Sequence, residues 1–398
     1  MNRINSHSLE NADLLCLTHL RWKFVFQRPQ HLMSRFAAER RVFFFEEPVF
    51  SEGEPHLHVE TCPQTGVRIV VPHLPKGISP EGVADHTRIL LDQLIAEQGI
   101  EQHLLWYYTP MAVSFSTHLS PIATIFDCMD ELSAFKDAPA ALRQNEAKLF
   151  SRADLVFTGG QSLYEAKRKQ HPRVYAFPSS VDVAHFSKAR THSAEPADQA
   201  CIPHPRLGYV GVIDERMDLD LLAESARLKP DWHFVMVGPV VKIAESSLPK
   251  APNIHYLGGK SYPELPAYLA GWDVALLPFA RNESTRFISP TKTPEYLAAG
   301  LPVVSTSIRD VVRPYGNLRL AHIADTADHF VSSAEAAMNG HLGDSEWLAR
   351  VDEHLATMSW NRTWASMKLL IEDIVSERED DSGAAAHDDR SVLSEVEA

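Results

Sequence analysis

Residues 289–306 read S-P-T-K-T-P-E-Y-L-A-A-G-L-P-V-V-S-T. The apolar run Val274 to Phe279 precedes this stretch, and the β-branched run Val303-Val304-Ser305-Thr306 closes it. Between the runs lie a polar loop, a short helix and the stop signals Gly300 and Pro302, so the stretch predicts a βαβ unit. Its helix would start at the carboxyl end of a strand, where free backbone N–H groups and the helix dipole favour anions. Lys292 falls in the first turn and adds a point charge suited to phosphate. Glu295, one turn on and on the same face, can accept hydrogen bonds from a sugar or ribose diol. A capped surface helix with an ordinary ion pair would have the same spacing.

Working outward, 398 residues suggest two domains, each able to bury a core, and 44% apolar with 23% charged residues is a globular composition. Of the net charge of −14, the end contributes −6, since Glu377 to Ala398 holds eight acids and two arginines. The acidic body argues against general nucleic-acid binding. The polar N-terminus carries no signal-like apolar stretch, and no run is long enough to cross a bilayer. Cys16, Cys62, Cys128 and Cys201 show no paired spacing. Reduced structural thiols and a cytoplasmic protein are the expectation.

Apolar runs and amphipathic stretches alternate from Leu14 to Phe177 and again from Leu207 onward. This is an α/β chain with two doubly wound, Rossmann-like domains. Expected boundaries are 1–182 for the first domain, 183–205 for a proline- and alanine-rich linker, and 206–358 for the second. A final helix (359–376) and an acidic tail without structure (377–398) complete the chain.

Four loops can reach the cleft between the two sets of strand ends. After the strand at Leu207 comes V-G-V-I-D-E-R, in which Gly211 allows close approach to the backbone and Arg216 can grip a diphosphate bidentately. The Lys292/Glu295 turn is the second. The third, Asp127-Cys128-Met129-Asp130-Glu131, clusters carboxylates that can raise one another's pKa and supply a general base, or cap a helix. The fourth contains His19, a base or substrate contact, and Gln30 and His31, which can bind sugar hydroxyls or cap a helix. Asp218 and Asp220 lie at a helix start and read as capping, leaving no metal-binding motif at a strand end; Arg and Lys can stabilise a leaving group electrostatically instead.

The run P-T-K-T-P-E-Y-L-A-A-G-L-P-V-V-S-T resembles the nucleotide-sugar site of group 1 glycosyltransferases of the GT-B fold. L-G-Y-V-G with Arg216, N-I-H-Y-L-G at 253–258, F-D-C-M-D-E at 126–131, S-R-A-D-L-V-F-T-G-G at 151–160 and P-S-S-V-D at 178–182 are similar to that family as well. The resemblance implies transfer of a sugar from a nucleoside diphosphate sugar, a UDP-sugar, to an acceptor held by the first domain. Arg216 and Lys292 correspond to the diphosphate binders, Glu295 to the ribose binder, and Asp127 to an acceptor-side catalytic group. No cofactor or metal is expected, and the last helix should cross back to brace the first domain. Phe287 stands where many members carry a second glutamate. Arg21 to Gln30 replaces a glycine-rich loop, as in a subset that assembles surface or exopolysaccharides on a lipid-linked or polysaccharide acceptor. The six basic residues between Arg21 and Arg41 suggest a peripheral contact with anionic membrane on the inner face. A nucleotide-sugar epimerase of the same fold and a non-catalytic nucleotide-sugar-binding partner remain open as alternatives.

Overall fold

A computed structural model describes residue 9 and residues 11–191, 194–340 and 343–394, with side chains described to residue 380. The first domain holds strands β1 (Asp13–Leu17), β2 (Val42–Phe45), β3 (Val49–Ser51), β4 (His56–Thr61), β5 (Arg68–Pro75), β6 (His103–Tyr107), β7 (Ala123–Cys128), β8 (Leu155–Thr158) and β9 (Val174–Ala176). Along the path β5-β2-β1-β6-β7-β8-β9 every pairing is parallel; β3 also joins β5 in parallel and β4 joins it antiparallel.

The strands are continuous apolar runs because both faces are covered. Successive side chains point to opposite faces. Leu14 and Cys16, Val42 and Phe44, and Leu104 and Trp106 pack with Leu32, Met33 and Phe36 of the Arg28–Ala37 helix. Leu15 and Leu17, Phe43 and Phe45, and Leu105 and Tyr107 pack against Leu91, Leu94, Leu149 and Leu163 on the other face.

The second domain holds β10 (Arg206–Val210), β11 (His233–Val237), β12 (Ile254–Gly258), β13 (Val274–Leu277), β14 (Val303–Ser305) and β15 (Ala321–Ile323). Their order is β12-β11-β10-β13-β14-β15, all parallel, which is the doubly wound dinucleotide-type order. The order reverses between β10 and β13, and between β1 and β6 in the first sheet. Those reversals open a crevice at the carboxyl ends of the strands, and the quoted stretch joins β13 to β14 there.

Two expected stretches gain definition. The stretch 183–205, read as a linker, carries short helical turns at Val183–Phe186, Ser187–Arg190 and Ala197–Ala200. Phe186, Ala189 and Ile202 enter the second core, and Gln199 bonds the Tyr268 carbonyl and the Trp272 indole at 2.9 Å each. Runs of three or four residues are too short to register as periodicity. The last helix runs from Trp360 to Ser394, well past residue 376, and residues 395–398 lie outside the described residues. It crosses back as expected, burying Trp360, Met367, Ile371, Ile374 and Val375 in the first-domain core. Arg378 extends the brace by pairing with Asp154 and bonding the Ile122 carbonyl at 2.9 Å.

The domains also touch across the cleft. A Cβ at Gly160 would lie 2.8 Å from Ser289 Cβ and 2.3 Å from an Asp310 carboxylate oxygen, so only glycine permits this approach. Asp310 accepts from the Ser162 amide at 3.1 Å, capping a first-domain helix from the second domain. Glu165 is paired with Arg309 at 2.6 Å and Arg313 at 2.7 Å.

Candidate active site

On the second domain the site is assembled largely from backbone. Gly211 follows β10 and Gly238 follows β11; a Cβ at Gly238 would sit 1.7 Å from the Gly211 carbonyl oxygen, so the two strand ends meet with no side chain between them. Lys292 and Glu295 lie on the Lys292–Ala298 helix, one turn apart, with Nζ 2.5 Å from the carboxylate. At seven residues it is the short helix read from the sequence, and Lys292 in its first turn supplies a fixed positive charge. Burial pushes the Glu295 carboxyl up while Lys292 opposes it.

Arg216 lies after β10, where it meets Asp214 with Nε at 3.0 Å and Nη2 at 2.7 Å. Burial alone would lower its pKa, but Asp214 and Asp130 outweigh that and raise it, so the guanidinium is permanently charged. Its face lies 5.5 Å from the Phe135 ring of the first domain, and Lys242 Nζ is 5.2 Å from the same ring. Lys242 and Phe135 are therefore cleft residues that sequence reasoning missed; each sits alone on a loop without a motif.

On the first domain the predicted residues separate. Asp127 is fully buried and grips Arg28 bidentately, Nε and Nη2 lying 2.8 to 3.1 Å from its oxygens, while Arg28 Nη1 donates to the Phe177 carbonyl. Their exposures, 0% and 1%, differ from the open carboxylate expected at Asp127. Burial pushes the Asp127 carboxyl up against the pull of Arg28. Asp130, at the same strand end, is only half-buried. Burial raises its pKa too, with Arg216 and Arg28 pulling down, so Asp130 faces the cationic side of the cleft.

His19 is held neutral, its pKa lowered to about 4 by burial and by Lys242. Its Nδ1 is buried without a hydrogen-bond partner. Gln30 is a cap: Oε1 accepts from the Gln27 amide at 3.0 Å and Nε2 donates to the Trp22 carbonyl at 2.9 Å. His31 is stacked on Trp360 at 4.5 Å and edge-on to Phe26 at 4.7 Å, which places it in an aromatic joint between the domains. Of the two readings left open for Gln30 and His31, the structure places both in packing and capping contacts. Asp218 accepts from the Leu221 amide, the capping contact read from sequence.

Two cavities flank this centre. One, about 490 Å³, is lined by Gly211, Gly238, Gly259, Tyr262 and Lys292 and by the Trp22–Phe26 segment. The other, about 500 Å³, lies at the carboxyl ends of β1, β2 and β6, with Phe45, Phe50, Ile78, Met111 and Phe115 on its walls and Glu46 and Glu47 among its polar groups. The loop from Thr18 to Phe26 contributes to both.

The basic stretch is paired within the chain, with Arg28 buried and Arg21, Lys23 and Arg41 partly exposed. Arg21 pairs with Glu46, Lys23 with Glu60, Arg28 with Asp127 and Arg41 with Asp13. Arg35 bonds Asn361 and Arg40 bonds the Leu9 carbonyl. These cations therefore have partners within the chain as well as the exposure a membrane contact would use. Among the described residues no helix is long and apolar enough to cross a membrane, and no group of three or more His, Cys, Asp or Glu side chains could hold a metal ion.

Two doubly wound domains facing a cleft, tied by a helix that returns to the first, define the GT-B fold. Sucrose-phosphate synthase from Thermosynechococcus elongatus has this fold with a TM-score of 0.71 and 13% identity, covering 92% of this chain and all of that one. HepE of Anabaena, solved with UDP and glucose, gives 0.64 and 12%, covering 90% and 98%. In sequence, TuaH of Bacillus subtilis (strain 168), assigned by name to teichuronic acid biosynthesis as a glycosyltransferase, is 26% identical over 295 residues, 68% of this chain and 72% of that protein. Residues 204–339 match the family model described as Glycosyl transferases group 1. The chain is a GT-B glycosyltransferase whose second domain is of the group 1 family.

Proposed function

We propose that this glycosyltransferase moves a sugar from a UDP-sugar to a lipid-linked or polysaccharide acceptor in the assembly of a cell-surface polysaccharide, acting at the cytoplasmic face of a membrane. The observation that carries this reading is the contrast between the two cavities on either side of one loop. The cavity at Lys292 sets three lysines, Lys23, Lys260 and Lys292, beside glycine backbone, which suit a nucleoside diphosphate; the first-domain cavity has apolar walls with Glu46 and Glu47 as its charged lining, which suit the carrier end of an acceptor. UDP as the nucleotide follows the bound UDP of HepE, and the surface polysaccharide follows TuaH.

In this mechanism an acceptor hydroxyl attacks the anomeric carbon of the donor. The bond from that carbon to the diphosphate oxygen breaks, and the hydroxyl proton passes to a base. Arg216 and Lys292 hold the leaving diphosphate, without a metal ion in this proposal, and Glu295 holds the ribose. Asp130 is the base: it sits at the strand end, half-buried, with a carboxyl pushed up by burial. His19 stands beside this chemistry as a neutral contact, and Asp127 anchors Arg28, whose charge acts on Asp130. Membrane contact in this reading is apolar, through Phe50 at the first-domain cavity and Val49 beside it, 49% and 37% exposed.

The test is transfer of radiolabel from UDP-sugars into a membrane extract, with Asp130→Asn as the control. Label incorporated by the wild type and lost in Asp130→Asn supports the reading. Label recovered only as an isomerised UDP-sugar would replace it with the epimerase.

A further inference from the structure

The cavity at Lys292 is not a second-domain cavity alone. It is lined by glycine backbone at Gly211, Gly238 and Gly259 of the second domain and by the first-domain segment from Trp22 to Phe26. That segment holds two large apolar side chains in partial contact with water, Phe24 at 55% and Phe26 at 36% exposure. We propose that Phe24 and Phe26 are the aromatic face against which the donor's nucleobase packs, so the nucleotide site is complete only when both domains contribute. This rests on the reading of the Lys292 cavity as the nucleotide site.

The lining offers two kinds of surface: Lys292 with the Gly211 backbone suits phosphate, and the first-domain rings suit a planar base. A base stacks on aromatic rings whatever its edge pattern. Phe26 is held in place before any ligand arrives, which lowers the cost of ordering it. Trp22 is buried, its amide donates to Glu46 at 2.8 Å, and its carbonyl accepts from Gln30. Phe26 lies 4.5 Å from the Tyr262 ring, across the domain boundary. Tyr262 also lines the cavity and so backs the Phe26 ring from the second domain. This gives Gln30 and the loop cations a purpose: they fix the loop that carries the rings.

The test titrates UDP and, separately, pyrophosphate into the full-length chain by calorimetry. Phe24 is exposed, so Phe24→Ala leaves the core intact, which its circular dichroism verifies. The expected result is UDP binding weakened by roughly 5- to 100-fold, pyrophosphate binding unchanged, and near wild-type UDP binding in Phe24→Trp. Phe26→Ala should act in the same direction. Unchanged UDP affinity in both alanine variants, with binding lost in Lys292→Ala, would overturn the proposal and leave the nucleotide reading standing. Equal weakening of UDP and pyrophosphate would reduce the rings to a structural role and overturn it too. A wild type that binds none of UDP, GDP and ADP would remove the nucleotide reading and the proposal together.

Discussion

The two domains share a fold but build their halves of the site by different means. The second domain presents backbone and a few charges set by one contiguous stretch: Lys292 and Glu295 are three residues apart and meet at 2.5 Å. The first domain builds its half from contacts between distant residues, with Arg28 and Asp127 separated by 99 positions. A site of the first kind is written locally. A site of the second kind exists only once the sheet has brought its parts together.

That contrast can be broken most forcefully at the buried pair. Asp127→Asn leaves the Arg28 charge enclosed without a counter-charge, and urea denaturation should show stability lower by about 3 to 5 kcal/mol. Asp130→Asn should keep its stability and lose transfer. A stable but inactive Asp127→Asn protein would instead make Asp127 the base, as the family motif implies. On the second domain, Lys292→Ala should lower the rate of UDP-sugar turnover about 100- to 1,000-fold, the scale for loss of one charged contact to a leaving group. Unchanged kinetics would reduce the Lys292–Glu295 contact to an ordinary helix ion pair.

The apolar cavity predicts a more modest effect. Phe50→Asp should raise KM for a lipid-linked acceptor about tenfold, the loss of one partly buried aromatic contact, while UDP binding stays unchanged in calorimetry. Equal KM values for the variant and the wild type would place the acceptor elsewhere. The last effect concerns the joint and is absent at neutral pH. His31 has its pKa lowered to about 3 by burial, with Arg35, Lys292 and His185 adding to the shift. The unfolded chain therefore takes the proton first, and the stability from neutral His31 is lost as pH falls from the ordinary value of 6.5 toward 3. Thermal melts should show His31→Phe less sensitive than the wild type by about 1 kcal/mol per pH unit in that window.

The same contrast explains what was legible. The parallel sheets, the doubly wound order and the Lys292/Glu295 turn follow from apolar runs and one motif, because strand burial and helix spacing are local properties. Gly211 and Arg216 were visible as a glycine and a cation after a strand. The first-domain loop was not: a run of cations with Trp and Phe shows nothing of its pairing with Glu46, Glu60, Asp127 and Asp13. Tyr262, Phe135 and Lys242 carry no sequence signal, since their positions at the cleft depend on how the two domains meet. Arg378 illustrates the same limit at the tail, where an acidic composition concealed a contact with Asp154 on the first domain.

The central claim is that one half-site holds a nucleotide sugar and the other an acceptor, and that a sugar passes between them. The direct measurement is UDP release from a panel of UDP-sugars with and without membrane extract as acceptor source. The account predicts release with at least one sugar that rises when extract is added, with the sugar recovered in the lipid or polysaccharide fraction. Binding of UDP without release under any acceptor condition would contradict it.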